Sequence, residues 1–441
     1  MGNNLQYALN MYRLRIKNGL AGQLFFFIIW PFGALLHSLQ DMKSRNFIII
    51  YSLFCILFCW NMDVVSNAYD DFSGIAYLFM HTDSSTSAFL KKFYAYITFS
   101  PNAPREIYLY FMMWFSRLFS DNPHFFFALC AIPYLFFQVK CFRMFLEDVN
   151  FRNGLIGVLI IFLFMFPRDI ITVQNPRFVT ALWLCIYVMM RSFYPATKGN
   201  KYLLWLLLAP TIHSSYWFIA PMMLLCIFVG RIVDQPRWLI TLVYISIPFS
   251  YMSTDIFSSN IDILSILSFS NALSGWAEGY ITSSEVETKQ VIGGGLYWVP
   301  VLFGILKKTA YLIVPIMIIN KRDLVSKLAT TSGMISCYLL LFALANFVQP
   351  MPVLGARLFL FVQILSIYVL FRVYGFKTNM FYIILFALTW DWFTRYFFGG
   401  AVSRVVPMMI FYTPLPYILF KYWGKTTMDV IEPEFNIEDF V

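Results

Sequence analysis

The stretch GLIGVLIIFLFMFPRDIITVQNPRFVTALWLCIYVMM, residues 154–190, decides the fold class. Two apolar runs, 154–166 and 179–190, are joined by a short polar link that carries Arg168, Asp169 and Arg177. The arginines therefore stand at the edge of a membrane or inside it, with Asp169 alone to balance them. A guanidinium group is costly there and tends to be kept for a function. The link reads as a place that waits for an anion.

The rest of the chain agrees. Of 441 residues, 60% are hydrophobic, 20% aromatic and only 12% charged. A soluble protein carries roughly a quarter of its residues as charges. Apolar runs recur from residue 24 to residue 423, too long for the alternating segments of about ten residues that build a membrane β-barrel. The expected class is all-α: a polytopic helical membrane protein forming one integral domain over 1–423, with a tail over 424–441. The start, MGNNLQYALNMYRLRIKNGLAGQ, is polar and basic, which gives no expectation of a cleavable signal peptide. Seven cysteines lie in apolar runs without CxxC or Cys/His spacing, so they read as small core residues.

Charge sets the expected topology. Short basic breaks at 41–45, 140–152, 191–201, 230–237, 320–327, 372–377 and 421–425 belong in the cytoplasm with the C-terminal tail. The net charge of +9 is spread over these breaks, without the dense basic run of a nucleic-acid binder. Two larger loops, 61–123 and 252–296, then face outward. Twelve crossings follow, or thirteen if the first apolar run spans. Arg13, Arg15 and Lys17 ask to be inside, which leaves two options for residues 24–38. Either that Pro31-containing stretch is re-entrant, or the basic segment lies on the outer face as an interfacial helix. The stretch REIYLYFMMWFSRLF, residues 105–119, is expected to lie on or dip into the outer leaflet without crossing.

The outward side collects Arg168, Arg177, Arg357, Arg395 and Arg404. Arginine suits phosphate because its planar fork donates two parallel hydrogen bonds. Snorkelling to headgroups is the alternative. Arg177 and Arg357 argue against it, since each opens a long apolar run and must point into the bundle. His213 lies between two apolar stretches too short to span, so the helices around it are expected to break. Irregular backbone at membrane depth is tolerated where it lines a cavity. Its imidazole could act on a hydroxyl nucleophile, with a hydrogen-bonded core histidine as the alternative. Asp63, Asp70 and Asp71 are candidates for binding sugar hydroxyls or for capping a loop helix. Lys307 and Lys308 interrupt an apolar run and are expected at the outer rim, near an anionic lipid.

No P-loop, GxGxxG, HExxH or His/Cys metal spacing occurs in the sequence. An enzyme working outside without a nucleotide site needs a substrate that arrives activated, such as a lipid-linked diphosphate sugar. No cofactor and no metal are expected.

The segment NPRFVTALWLCIYVMMRSFYPATKGNKYLLWLLLAPTIHSSYWFIAPMMLL, residues 175–225, resembles the signature of the EpsG-like family of polysaccharide polymerases, relatives of Wzy-type O-antigen polymerases. In that family an Arg opens a helix with a small residue four positions on. A basic turn follows, then a short helix ending in Ala-x-x-x-His-Ser. Arg177, Ala181, the turn at 191–201, Ala209, His213 and Ser214 hold those places. An early Asp…Tyr element, Asp63 to Tyr69, and a later Arg-Leu, Arg357 and Leu358, keep the order. The Gly-Thr-Asp-Tyr element usual in the family is replaced by NMDVVSNAYDDF at 61–72. The resemblance runs from about residue 45 to 375.

The resemblance implies a GT-C-like membrane glycosyltransferase at the outer face of a bacterial inner membrane. It would join oligosaccharide repeat units carried on undecaprenyl diphosphate, with membrane lipid and a chain-length regulator as further partners and no nucleic acid. Arg177 and Arg357, with Arg168, would bind the diphosphate, while His213 would act as general base or position the acceptor. Tyr69, Arg395 and Arg404 join the substrate-binding candidates. A related glycosyltransferase or O-antigen ligase using Asp70 and Asp71 is one alternative. A lipid-oligosaccharide flippase is another.

Overall fold

A computed structural model of the chain describes residues 19–61, 71–83, 85–98, 100, 103–147, 154–165, 175–194, 200–232, 237–251, 298–320, 329–374 and 408–420, with a few positions between 382 and 389. Every regular element among them is helical. The chain is an all-α membrane protein, as its composition predicts.

The described residues open with α1 (Leu20–Ile29) and α2 (Pro31–Ser38), separated by Trp30, whose backbone is extended at φ −152° and ψ 91°. Proline lacks an N–H and starts the second helix where none is needed. The Phe26 and His37 rings meet edge to face at 6.2 Å. On one continuous helix, residues eleven apart would stand about 16 Å apart along the axis. The chain therefore turns back at Trp30–Pro31, while Arg13, Arg15 and Lys17, on which the interfacial option rests, lie outside the described residues. Gly33 permits the turn, because a Cβ there would lie 2.0 Å from the Trp30 indole. Trp30 Nε1–H in turn donates to the Phe411 carbonyl at 2.6 Å, tying the hairpin to the C-terminal part of the chain.

α3 (Arg45–Trp60) is capped by Ser44, whose hydroxyl accepts from the Phe47 N–H. Three short helices follow: α4 (Asp71–His81), α5 (Thr86–Ile97) and α6 (Tyr108–Arg117). At ten residues, α6 is about 15 Å long, half the thickness of about 30 Å that a bilayer core has. It buries Leu109, Met112, Met113 and Ser116 and packs on α7 (Pro123–Leu146). Arg117 fastens this layer by donating to the Phe79 carbonyl and pairing with Asp121 at 3.7 Å. Trp114 stacks on Phe89 at 5.0 Å and donates to the Thr86 hydroxyl at 3.1 Å, joining α6 to α5.

The bundle continues with α8 (Leu155–Met165) and α9 (Pro176–Ser192). A 3-10 stretch (Lys201–Leu208) runs into α10 (Ala209–Ile212), and α11 (Tyr216–Ile232) follows a turn at 213–215. The break expected around His213 is present. Then come α12 (Arg237–Ser246), a 3-10 turn (Pro248–Tyr251), α13 (Trp298–Asn320), α14 (Ala329–Val348), α15 (Pro352–Tyr374) and α16 (Leu415–Phe420).

α9 packs on α7, α7 on α3, α11 and α12 on α14, and α14 and α8 on α15. Small residues set the tightest approach: Gly230 of α11 faces Gly333 of α14, and a Cβ on either would lie 2.5 Å from the other's carbonyl oxygen. Gln138 fixes α7 internally by accepting from the Tyr51 hydroxyl at 2.9 Å and donating to the Met165 carbonyl at 3.1 Å. All seven cysteines are buried and free.

Among the described residues, two helices are long and apolar enough to cross a membrane, Pro123–Leu146 and Leu354–Tyr374, and eight shorter apolar helices accompany them. Large side chains such as Leu155, Leu207 and Ile232 stay exposed on the outside. That is the surface a lipid solvent requires.

Candidate functional site

Helix α9 starts where the sequence prepares a start. The Asn175 side chain accepts from the Phe178 N–H at 3.2 Å, and Pro176 takes the first helical position. This puts Arg177 in the first turn, where the helix dipole disfavours a cation. A compensating acid is required, and it is Glu106. The Arg177 Nη1 pairs with Glu106 Oε1, across 71 residues of sequence. Glu106 stands just before α6, with its side chain only 7% exposed, and Arg177 is 20% exposed.

The second Glu106 oxygen accepts from the backbone N–H of Ser214 at 3.2 Å. That bond reaches the turn between α10 and α11. His213, within the turn, is 3% exposed. Its Nδ1 accepts from the Ser215 N–H at 3.2 Å and lies 3.0 Å from the Ser215 hydroxyl. A backbone N–H can only donate, so Nδ1 carries no hydrogen and the neutral ring bears its proton on Nε2. Among the described residues Nε2 has no hydrogen-bond partner.

Phe178 joins the third component. Its ring meets the His213 ring edge to face at 5.7 Å, and Arg357, near the start of α15, places its guanidinium 5.2 Å from the same ring's centroid. Tyr216 buttresses the arrangement by donating its hydroxyl to the Phe178 carbonyl at 3.3 Å. Both guanidinium groups lie close enough to act electrostatically on the imidazole. Arg177, His213 and Arg357, which sequence reasoning singled out separately, thus come from α9, a turn and α15 to one locus.

Other candidates fall elsewhere. Lys308 donates to the Ser250 carbonyl and sits over the Tyr251 ring at 4.8 Å, so it caps the 3-10 turn before residue 252. No contact among the described residues links it to Arg177, His213 or Arg357. Asp63, Tyr69, Asp70, Arg168, Arg395 and Arg404 lie outside the described residues, as do the side chains of Asp71 and Lys307. Glu106 and Phe178 were missed. Glu106 was legible only as a lone acid at the head of the amphipathic stretch 105–119, where an acid on the polar face is unremarkable. Among the described residues no group of three or more His, Cys, Asp or Glu side chains is arranged to hold a metal ion.

A sequence model described as the EpsG family matches residues 83–409. Glu106, Arg177, His213 and Arg357 all fall inside the matched span, whereas Asp63, Tyr69, Asp70 and Asp71 precede it. No curated protein and no solved structure matches the chain.

Proposed function

The chain belongs to the EpsG family of membrane proteins of polysaccharide biosynthesis, and on that premise we propose that it is a glycosyltransferase that polymerises repeat units carried on undecaprenyl diphosphate. The observation that carries the reading is the convergence of two guanidinium groups and one imidazole beside a buried carboxylate, all within the matched span.

A hydroxyl of the incoming unit attacks the anomeric carbon of the growing chain. The new C–O bond forms as the bond to the lipid diphosphate breaks, and the hydroxyl's proton ends on the departing diphosphate. Charge grows on that leaving group. Arg177 and Arg357 meet it, and preorganised charge stabilisation of this kind is often the largest catalytic term. Of the two roles expected for His213, positioning suits the ring better than base catalysis, because its proton is already on Nε2. A neutral imidazole in that form donates to an oxygen.

The reaction faces the outer side of a bacterial inner membrane. The domain of residues 1–423 is embedded and the tail of 424–441 is cytoplasmic. Guanidinium groups carry the charge, so no metal is needed. Purified protein given lipid-linked repeat units tests this. We expect products longer than one unit, equal amounts with and without EDTA, and none from Arg177→Ala or Arg357→Ala. Single units alone from the parent protein would refute the polymerase reading.

A further inference from the structure

A guanidinium group has two edges, and among the described residues only one of Arg177's is taken. Glu106 engages Nη1. The other edge is formed by Nε–H and Nη2–H, the pair that suits two oxygens of one phosphate side by side. Nε is buried and among the described residues has no hydrogen-bond partner. Nη2 makes no hydrogen bond among the described residues either. A buried donor left unpaired is costly and calls for an explanation.

Glu106 supplies one. It is held at both oxygens, by Arg177 and by the Ser214 N–H, so it does not swing freely. Through these two bonds it fixes the first turn of α9 against the turn that carries His213. It also decides which edge of Arg177 is left over.

We propose that Glu106 is a positioning residue that clamps Arg177 by one edge, so that the Nε–Nη2 edge is presented, next to the His213 turn, to the phosphate oxygens of a lipid diphosphate. The inference rests on the reading of Arg177 as a diphosphate ligand and adds the group that makes it one. Glu106 does not touch the diphosphate and acts only through its two partners. Mere charge balance would leave the choice of edge open, whereas a clamp fixes it.

The test is a titration of undecaprenyl diphosphate into the full-length protein in lipid nanodiscs, with thermal unfolding recorded for each variant. Glu106→Gln keeps an oxygen for the Ser214 N–H and removes the charge that grips Arg177. It is expected to weaken binding about tenfold, the scale of losing a charge-assisted bidentate contact. The double variant Glu106→Gln/Arg177→Ala is expected to bind no worse than Arg177→Ala alone, since one acts through the other. Losses that add would overturn the clamp, and so would parental or tighter binding by Glu106→Gln. Should Glu106→Gln fail to fold, Arg177→Lys carries the test. It keeps the cation for Glu106 and has no second edge, so it should bind as weakly as Arg177→Ala; parental affinity overturns the proposal. Parental binding by Arg177→Ala would instead remove Arg177 from the diphosphate site and this inference with it.

Discussion

Arg357 rests its guanidinium 5.2 Å from the ring centroid of Phe178, the residue that follows Arg177. One aromatic side chain thereby ties the cation of α15 to the helix turn that carries Arg177. Phe178→Leu preserves an apolar filler and removes the face. The lost cation–π attraction is about 1 to 2 kcal/mol at a desolvated site, or roughly five- to thirtyfold in rate. Initial polymerisation rates of the purified variant measure it. A parental rate from Phe178→Leu would contradict a role for that ring in holding Arg357.

His213 separates its two possible roles through side-chain choice. With Nδ1 accepting from the Ser215 N–H, the working atom is Nε2–H, a donor. A glutamine offers an N–H at a similar reach and no base. His213→Gln should therefore keep measurable polymerisation while His213→Ala loses it. Equal loss in both would favour proton abstraction by the ring.

The contact between Gly230 and Gly333 leaves no room for a methyl group. A Cβ on Gly230 would sit 2.5 Å from the Gly333 carbonyl oxygen and 2.8 Å from Cys337 Cβ. Gly230→Ala or Gly333→Ala should push α11 from α14 and cost about 1 to 3 kcal/mol, the usual range for overpacking. Thermal unfolding in detergent reads the loss. The effect should fall on stability and protein level, and less on activity per folded molecule.

The N-terminal hairpin makes a topological prediction. Because α1 and α2 double back at Trp30, Gly19 and Gln40 should emerge on the same side of the membrane. Single cysteines at these two positions, in a background with the seven native cysteines replaced, should react together with a membrane-impermeant thiol reagent. Labelling from opposite sides would mean that residues 20–38 span.

Much of this was legible in the sequence because the membrane makes polar residues conspicuous. Arg177, Arg357 and His213 each interrupt or open an apolar run, where a polar group demands a reason. Glu106 gave no such signal: it heads an amphipathic stretch, and its partner lies 71 residues away. The two contacts of Glu106 exist only once the residues before α6 lie beside the start of α9 and the His213 turn. At the N-terminus charge counting offered two topologies, and the Phe26–His37 contact adds a turn of the chain at Trp30 that charge alone does not give. Lys308 looked misplaced in an apolar run. Its cost is met by the Ser250 carbonyl, a partner that sequence spacing could not supply.

The most direct measurement is the length distribution of surface polysaccharide from cells that carry Arg177→Ala in place of the parent gene, run on a gel beside the parent strain, with membrane levels of the protein matched. The account predicts that the ladder collapses to single repeat units that still reach the outer face. A full ladder from Arg177→Ala would contradict it, and so would retention of those single units inside the cell, which is the behaviour of a flippase.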